Sequence, residues 1–166
     1  EIYTLSLHDA LPIYVSYGND RWTNFYEDLA QYKLMRSIFN GLSSAEQAEN
    51  QLYMDCASVW MYDQIEKAVD LWGDIPFVNA CNIQISANIA DSKVSYDDAK
   101  SIYEMMLNGA SFTDVNGNAQ SYDGLNTIYS RIKSATAPAT FASQDLLFQG
   151  DVSKWASYAI GLRARM

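Results

Sequence analysis

Three pairs of carboxylates stand close together in the chain: Asp63 with Glu66, Asp70 with Asp74, and Asp97 with Asp98. Two carboxyl groups facing one cleft are what glycoside hydrolysis requires, one protonating the leaving oxygen while the other attacks or activates water. The helical periodicity around these pairs assigns them instead to solvated faces and caps. Asp114-Val-Asn116-Gly-Asn118 opens like a calcium loop, but Ala119 and Leu125 occupy the positions where such a loop needs glycine and a bidentate glutamate. An Asx turn is the reading, and neither a metal nor a cofactor is predicted. Cys56 and Cys81 match no zinc spacing. Cys56 falls mid-helix as a small apolar residue, and Cys81 falls in a loop.

Aromatic residues are the other candidates. A sugar ring stacks its C–H face on an aromatic ring while polar neighbours take its hydroxyls. With twelve Tyr and four Trp, the chain has many such rings. Trp22, Tyr26, Trp60 and Trp155 recur at helical spacing and are assigned to the core. Tyr17, Phe77, Tyr96 and Tyr122 lie at loop edges and are the candidate ligand-binding residues. No catalytic residue is assigned.

Composition narrows the classes. The chain has 166 residues, 11 Lys+Arg against 20 Asp+Glu, and a net charge of −9. That balance lacks the basic footprint of a nucleic-acid binder. No apolar run reaches membrane-spanning length. Residues 1–13 back-translate codon for codon into a common short-read sequencing adapter, and are set aside as an artefact. The sole histidine, His8, falls there, so histidine triads and histidine-ligated zinc are not expected. Residues 14–166 then read as one partial helical domain, truncated at both ends.

The positioning elements follow from periodicity. Apolar residues from Trp22 to Phe39 step by three and four, predicting a helix over 20–40, with Gly41 as a left-handed stop. Ser43 and Glu46 have capping-box spacing for a second helix running to Trp72, and its apolar residues cover more than one face. Gly73-Asp74-Ile75-Pro76 ends it, with Asp74 taking backbone N–H groups of the turn. Residues 77–95 read as a loop. Further helices are predicted after Ser95 or Asp97, with the period held from Ala99 to Ala110, from Leu125 to Ile132, and after Asp151, which caps a helix anchored by Trp155. No strand alternation persists, so the fold class is all-α, built of antiparallel helix pairs.

Two stretches carry a family resemblance. Ala68-Val-Asp-Leu-Trp72-Gly73-Asp74-Ile-Pro76-Phe77-Val-Asn-Ala80 and Asp145-Leu-Leu-Phe-Gln-Gly150-Asp151-Val-Ser-Lys-Trp155, continued to Met166, resemble the SusD/RagB family of Bacteroidota. Val94-Ser-Tyr96-Asp-Asp and Asp20-Arg-Trp22 resemble other helix starts of that family, so the likeness spans 17–166 in order. Ile160-Gly161 departs from the family's usual Asn-Ser. Trp72, Gly73, Asp74, Pro76, Gly150, Asp151 and Trp155 are read as structural motif residues.

The resemblance implies a tetratricopeptide-like scaffold and a non-catalytic lipoprotein exposed at the outer-membrane surface. It also implies binding of an oligosaccharide or other nutrient, with a SusC-like TonB-dependent transporter as partner. Membrane contact would come only through a lipid anchor outside these residues. Two alternatives remain at this level: an α-helical glycan hydrolase using paired carboxylates, and a helical-repeat scaffold that binds protein.

Overall fold

A computed structural model describes residues 7–82, 94–114, 117 and 119–166, with side chains from Gly18 onward. Its helices are α1 (Leu7–Gly41), α2 (Ser44–Trp72), α3 (Ala99–Asn108), α4 (Leu125–Ser134), α5 (Phe141–Gln144) and α6 (Val152–Arg165). A hairpin of β1 (Gly109–Thr113) and β2 (Ala119–Asp123) lies between α3 and α4. The α-helical class expected from the sequence is what the structure has, with this hairpin added.

α1 and α2 form an antiparallel pair. The predicted capping box at Ser43 is present: its backbone N–H donates to Glu46 at 2.9 Å, and its hydroxyl accepts from the Glu46 amide. Gly41 is not the left-handed stop the sequence suggested. It ends α1 in helical conformation, and the left-handed glycines are Gly73, Gly109, Gly117 and Gly150. α1 is also longer than predicted, since its backbone helix starts at Leu7.

α2 is the central element. Its buried residues include Leu52, Val59, Met61, Tyr62, Ile65 and Val69, which occupy more than one face. α1 packs on one side and α3, α4 and α6 on others, while α4 and α6 pair together. The two-sided apolar pattern of 44–72 therefore has the partners it requires.

The helix predicted to Ala110 ends at Asn108. Gly109 (φ 80°) turns the chain into β1, and register pairs it with Asp123. Here two backbones cross at contact. A Cβ on Gly109 would meet the Tyr122 carbonyl at 2.8 Å, and one on Gly124 would meet residues 107–109 at 2.5–2.6 Å. Alternation was too brief to announce these strands. They form because two glycines permit the approach.

Asp63 and Glu66 correct another expectation. Both are buried rather than solvated. Arg165 of α6 donates to Asp63 at 3.0 Å and to Glu66 Oε1 at 2.7 Å, and Lys67 reaches Asp63 at 2.5 Å. Burial alone would raise the Asp63 carboxyl. Hydrogen bonds from Lys67, Tyr158 and Arg165 outweigh it and hold the group below its ordinary range.

A second polar hub organises the chain before α6. Asp145 Oδ1 accepts from the amides of Leu147 (3.0 Å) and Phe148 (3.1 Å), and Oδ2 from Gly150 (2.9 Å) and the Trp155 indole (2.8 Å). Trp155 is the buried anchor the sequence predicted, with Phe148 edge-on at 5.1 Å. Asp151 caps α6 through the amides of Ser153 and Lys154. Burial works to raise the Asp145 carboxyl, but the four donors prevail and depress it.

Asp145→Ala would orphan those four donors and is expected to cost at least ~4 kcal/mol in urea unfolding, as buried donors without acceptors cost ~1–3 kcal/mol each. The depressed carboxyl stabilises the fold above its ordinary value near ~3.9 and loses that contribution as pH falls through the folded value. Asp145→Asn should therefore flatten the acid limb of the stability–pH curve relative to the parent chain.

Candidate functional site

The residues around the end of α2 build the site. Gly73 (φ 74°) reverses the chain while its amide closes on the Val69 carbonyl at 2.8 Å. Asp74 does not cap its own turn, as the sequence suggested. Its carboxylate accepts from the Ala99 amide at 2.9 Å and so holds the start of α3. Ile75 is buried and forms an isolated antiparallel bridge with Asp97. The Asp97 carboxylate then takes the amides of Phe77 and Val78, both at 2.8 Å.

α1 supplies the matching donors. Tyr26 donates its hydroxyl to the Pro76 carbonyl at 2.9 Å. Lys33 donates to the carbonyls of Phe77, Val78 and Ala80. The loop that follows the Trp72 motif is thus held from both sides, with carboxylate oxygens on its N–H groups and an ammonium on its carbonyls.

Two depressions flank α1 at this end. One, of about 270 Å³, lies between α1 and α2 and is lined by Arg21, Asn24, Asp28, Gln64, Lys67 and Trp72. The other is a shallower groove of about 700 Å³ lined by Trp22, Tyr26, Glu27, Asp28, Gln31 and Cys81. Asp28 borders both. Between them Trp22 stands edge-on to Trp72 at 5.0 Å and tilted against Tyr26 at 4.8 Å. Burial, and then the neighbouring Glu27, raise the Asp28 carboxyl.

Amides, carboxylates and cations beside half-buried aromatic rings match the chemistry of a polyhydroxylated ligand. The rings offer faces to C–H groups and the polar side chains take hydroxyls. Spacing puts the polar set together: Asn24 and Asp28 are i and i+4 on α1, facing Gln64 and Lys67 across the pair.

The sequence candidates fare unevenly. Tyr96 is 67% exposed, so its ring is open to solvent, and it does not line either depression. Phe77 is fully buried, 5.3 Å from the Tyr122 ring and 6.3 Å from Phe112. Tyr122 is buried as well, under the Arg36 guanidinium at 4.1 Å. Neither ring presents a face to solvent, because β2 and the loop after Pro76 fold inward together. The side chain of Tyr17 lies outside the described residues.

Sequence reasoning did not single out Asn24, Asp28 and Gln64, which line the α1–α2 depression together with Trp72. The available signal was the Asn24–Asp28 step beside Phe25 and Leu29 in the α1 pattern.

The paired carboxylates are engaged elsewhere. Asp70 accepts from the Tyr103 hydroxyl, which burial first and then Asp70 push up to about 12. Asp97 and Asp98 serve the loop and the α3 cap. The turn at Asp114 closes through the Gly117 amide at 3.0 Å, while Asn116 and Asn118 lie outside the described residues. Among the described residues no group of three or more His, Cys, Asp or Glu is disposed to hold a metal ion, and no helix is long and apolar enough to cross a membrane.

The family model described as SusD-like, starch-binding associating with outer membrane, matches residues 8–166. The chain belongs to the SusD-like family. Its class is therefore that of glycan-binding proteins associated with the outer membrane. No curated protein and no solved structure matches the chain. Within this SusD-like chain, Trp72 of the motif lines the α1–α2 depression, and the Pro76 carbonyl at the motif's end accepts from the Tyr26 hydroxyl.

Asp97→Ala would leave the Phe77 and Val78 amides without their acceptor. An increase in their hydrogen-exchange rates is expected, with about 2 kcal/mol lost in thermal unfolding, whereas Asp97→Asn, which keeps an acceptor oxygen, should lose less.

Proposed function

We propose that this chain forms part of a non-catalytic glycan-binding lipoprotein exposed at the outer-membrane surface, which captures an oligosaccharide and passes it to a SusC-like TonB-dependent transporter. The observation that carries the reading is the family match across residues 8–166. The paired depressions on α1 support it, since Trp72 and Trp22 offer ring surface while Asn24, Asp28 and Gln64 offer hydroxyl partners. Starch oligosaccharides are the first ligand class to test, in keeping with the family's description.

The residues proposed to touch glycan are Trp72, Asn24, Asp28 and Gln64, with Trp22 and Tyr26 along the second groove and the exposed Tyr96 as a further ring. Phe77 and Tyr122 act from beneath, as packing that holds the loop. The lipid anchor and the transporter partner belong to this proposal as well, and the helical domain within it is taken as 14–166.

Isothermal titration with maltooligosaccharides provides the test. Trp72→Ala and the double change Asn24→Ala with Gln64→Ala should each weaken binding about tenfold, equivalent to ~1.4 kcal/mol. Asn24 is exposed and Gln64 half-buried, so the double variant should keep the parent's melting curve. Unchanged affinity in both variants would remove the depressions from the binding site. Shortened oligosaccharides after incubation would overturn the non-catalytic reading.

A further inference from the structure

Lys33 differs from the cations that pair with carboxylates. It sits within α1 at 3% exposure, and its direct partners are backbone oxygens: Phe77 at 2.5 Å, Val78 at 2.9 Å and Ala80 at 2.8 Å. The Phe77 ring lies 5.3 Å from the ammonium, close enough for a cation–π contact. One helix side chain thus gathers three carbonyls of a loop. That loop continues into Cys81, which has φ 63°, donates its thiol toward the Tyr26 carbonyl at 3.5 Å, and lines the groove with Trp22 and Tyr26.

We propose that Lys33 is a positioning residue for the α1 groove: its ammonium clamps the 77–82 loop and so sets the groove wall formed at Cys81. The proposal rests on the reading of that groove as a glycan site.

The clamp depends on the proton. An ammonium has three N–H donors, one for each carbonyl, whereas a neutral amine has two and a lone pair. Deprotonation leaves one carbonyl without a donor and sets a lone pair against it. The surrounding groups bring this event near neutrality. Burial is the largest influence and pulls Lys33 down to about 8; Cys81, Asp97 and Asp114 act to retain the proton, and Arg36 acts to expel it.

The sign separates loop release from unfolding. Lysine in an unfolded chain titrates near ~10.4, so between the two values the unfolded chain binds the proton more tightly. This group therefore does not weaken global stability as pH rises through that window. The change should be confined to the loop and the groove.

The test uses the 166-residue chain and two readouts: amide hydrogen exchange across 78–82, corrected for the intrinsic pH dependence, and maltooligosaccharide affinity. In the parent chain, protection and affinity should both fall about tenfold between roughly pH 7 and 9, with the melting curve preserved. Lys33→Met, which never carries the charge, should bind weakly at both pH values and lack the pH step. If that variant does not fold, the parent pH series decides alone. Loop protection that falls while no glycan binds at either pH upholds the clamp and sinks the glycan reading. Glycan binding and loop protection that stay level across this range overturn the clamp and leave the glycan reading standing.

Discussion

Leaving α2 creates a solvation problem. From Ile75 to Val78 the chain is buried, yet beyond the isolated bridge at Ile75 no helix or sheet takes its N–H and C=O groups. A buried peptide group without a partner costs about 1–3 kcal/mol, so a few groups of this kind could cancel much of a small domain's net stability. The Tyr26 hydroxyl donates to the Pro76 carbonyl, and two charges of opposite sign take the groups that follow. Asp97 accepts the amides of Phe77 and Val78, and Lys33 donates to the carbonyls of Phe77, Val78 and Ala80. Charge-assisted bonds are the strongest available for this purpose. Because the two groups come from α1 and from the residues before α3, the same contacts fix where those helices stand relative to the end of α2.

The second SusD-like motif repeats the solution with different parts. Asp145 collects three amides and the Trp155 indole, so a single carboxylate shapes the turn that feeds α6. In both places a carboxylate accepts backbone amides beside a buried aromatic ring, Asp97 at Phe77 and Asp145 at Trp155. The carboxylate satisfies the backbone and the ring fills the space behind it. The residues of these motifs hold loops, and Trp72, which closes α2, also lines the α1–α2 depression. A binding protein gains from this arrangement because side chains on paired helices keep their geometry better than side chains on free loops.

Much of the scaffold was legible because its signals are local. The Ser43–Glu46 capping box, the apolar faces of 44–72, the Asp151 cap and the buried Trp155 each depend on residues within a turn or two. The hairpin was not legible, since Gly109 and Gly124 matter only when two distant backbones touch. Asp63 and Glu66 looked like a solvated face until Arg165, about a hundred positions later, was brought against them. Phe77 and Tyr122 looked like loop-edge rings for the same reason. Each is near a turn in sequence, and each is buried by the other in space.

Sequence alone determined that the chain is helical, where α2, α4 and α6 begin, and that its ordered motifs are SusD-like. Periodicity, capping and motif spacing are properties of neighbouring residues, and they survive without knowledge of the fold. Only the tertiary structure decided which aromatic rings face solvent, which carboxylates are buried, and that Asn24, Asp28, Gln64 and Trp72 share one depression. Exposure and juxtaposition belong to packed surfaces, and packing joins residues whose separation in the chain carries no periodic trace.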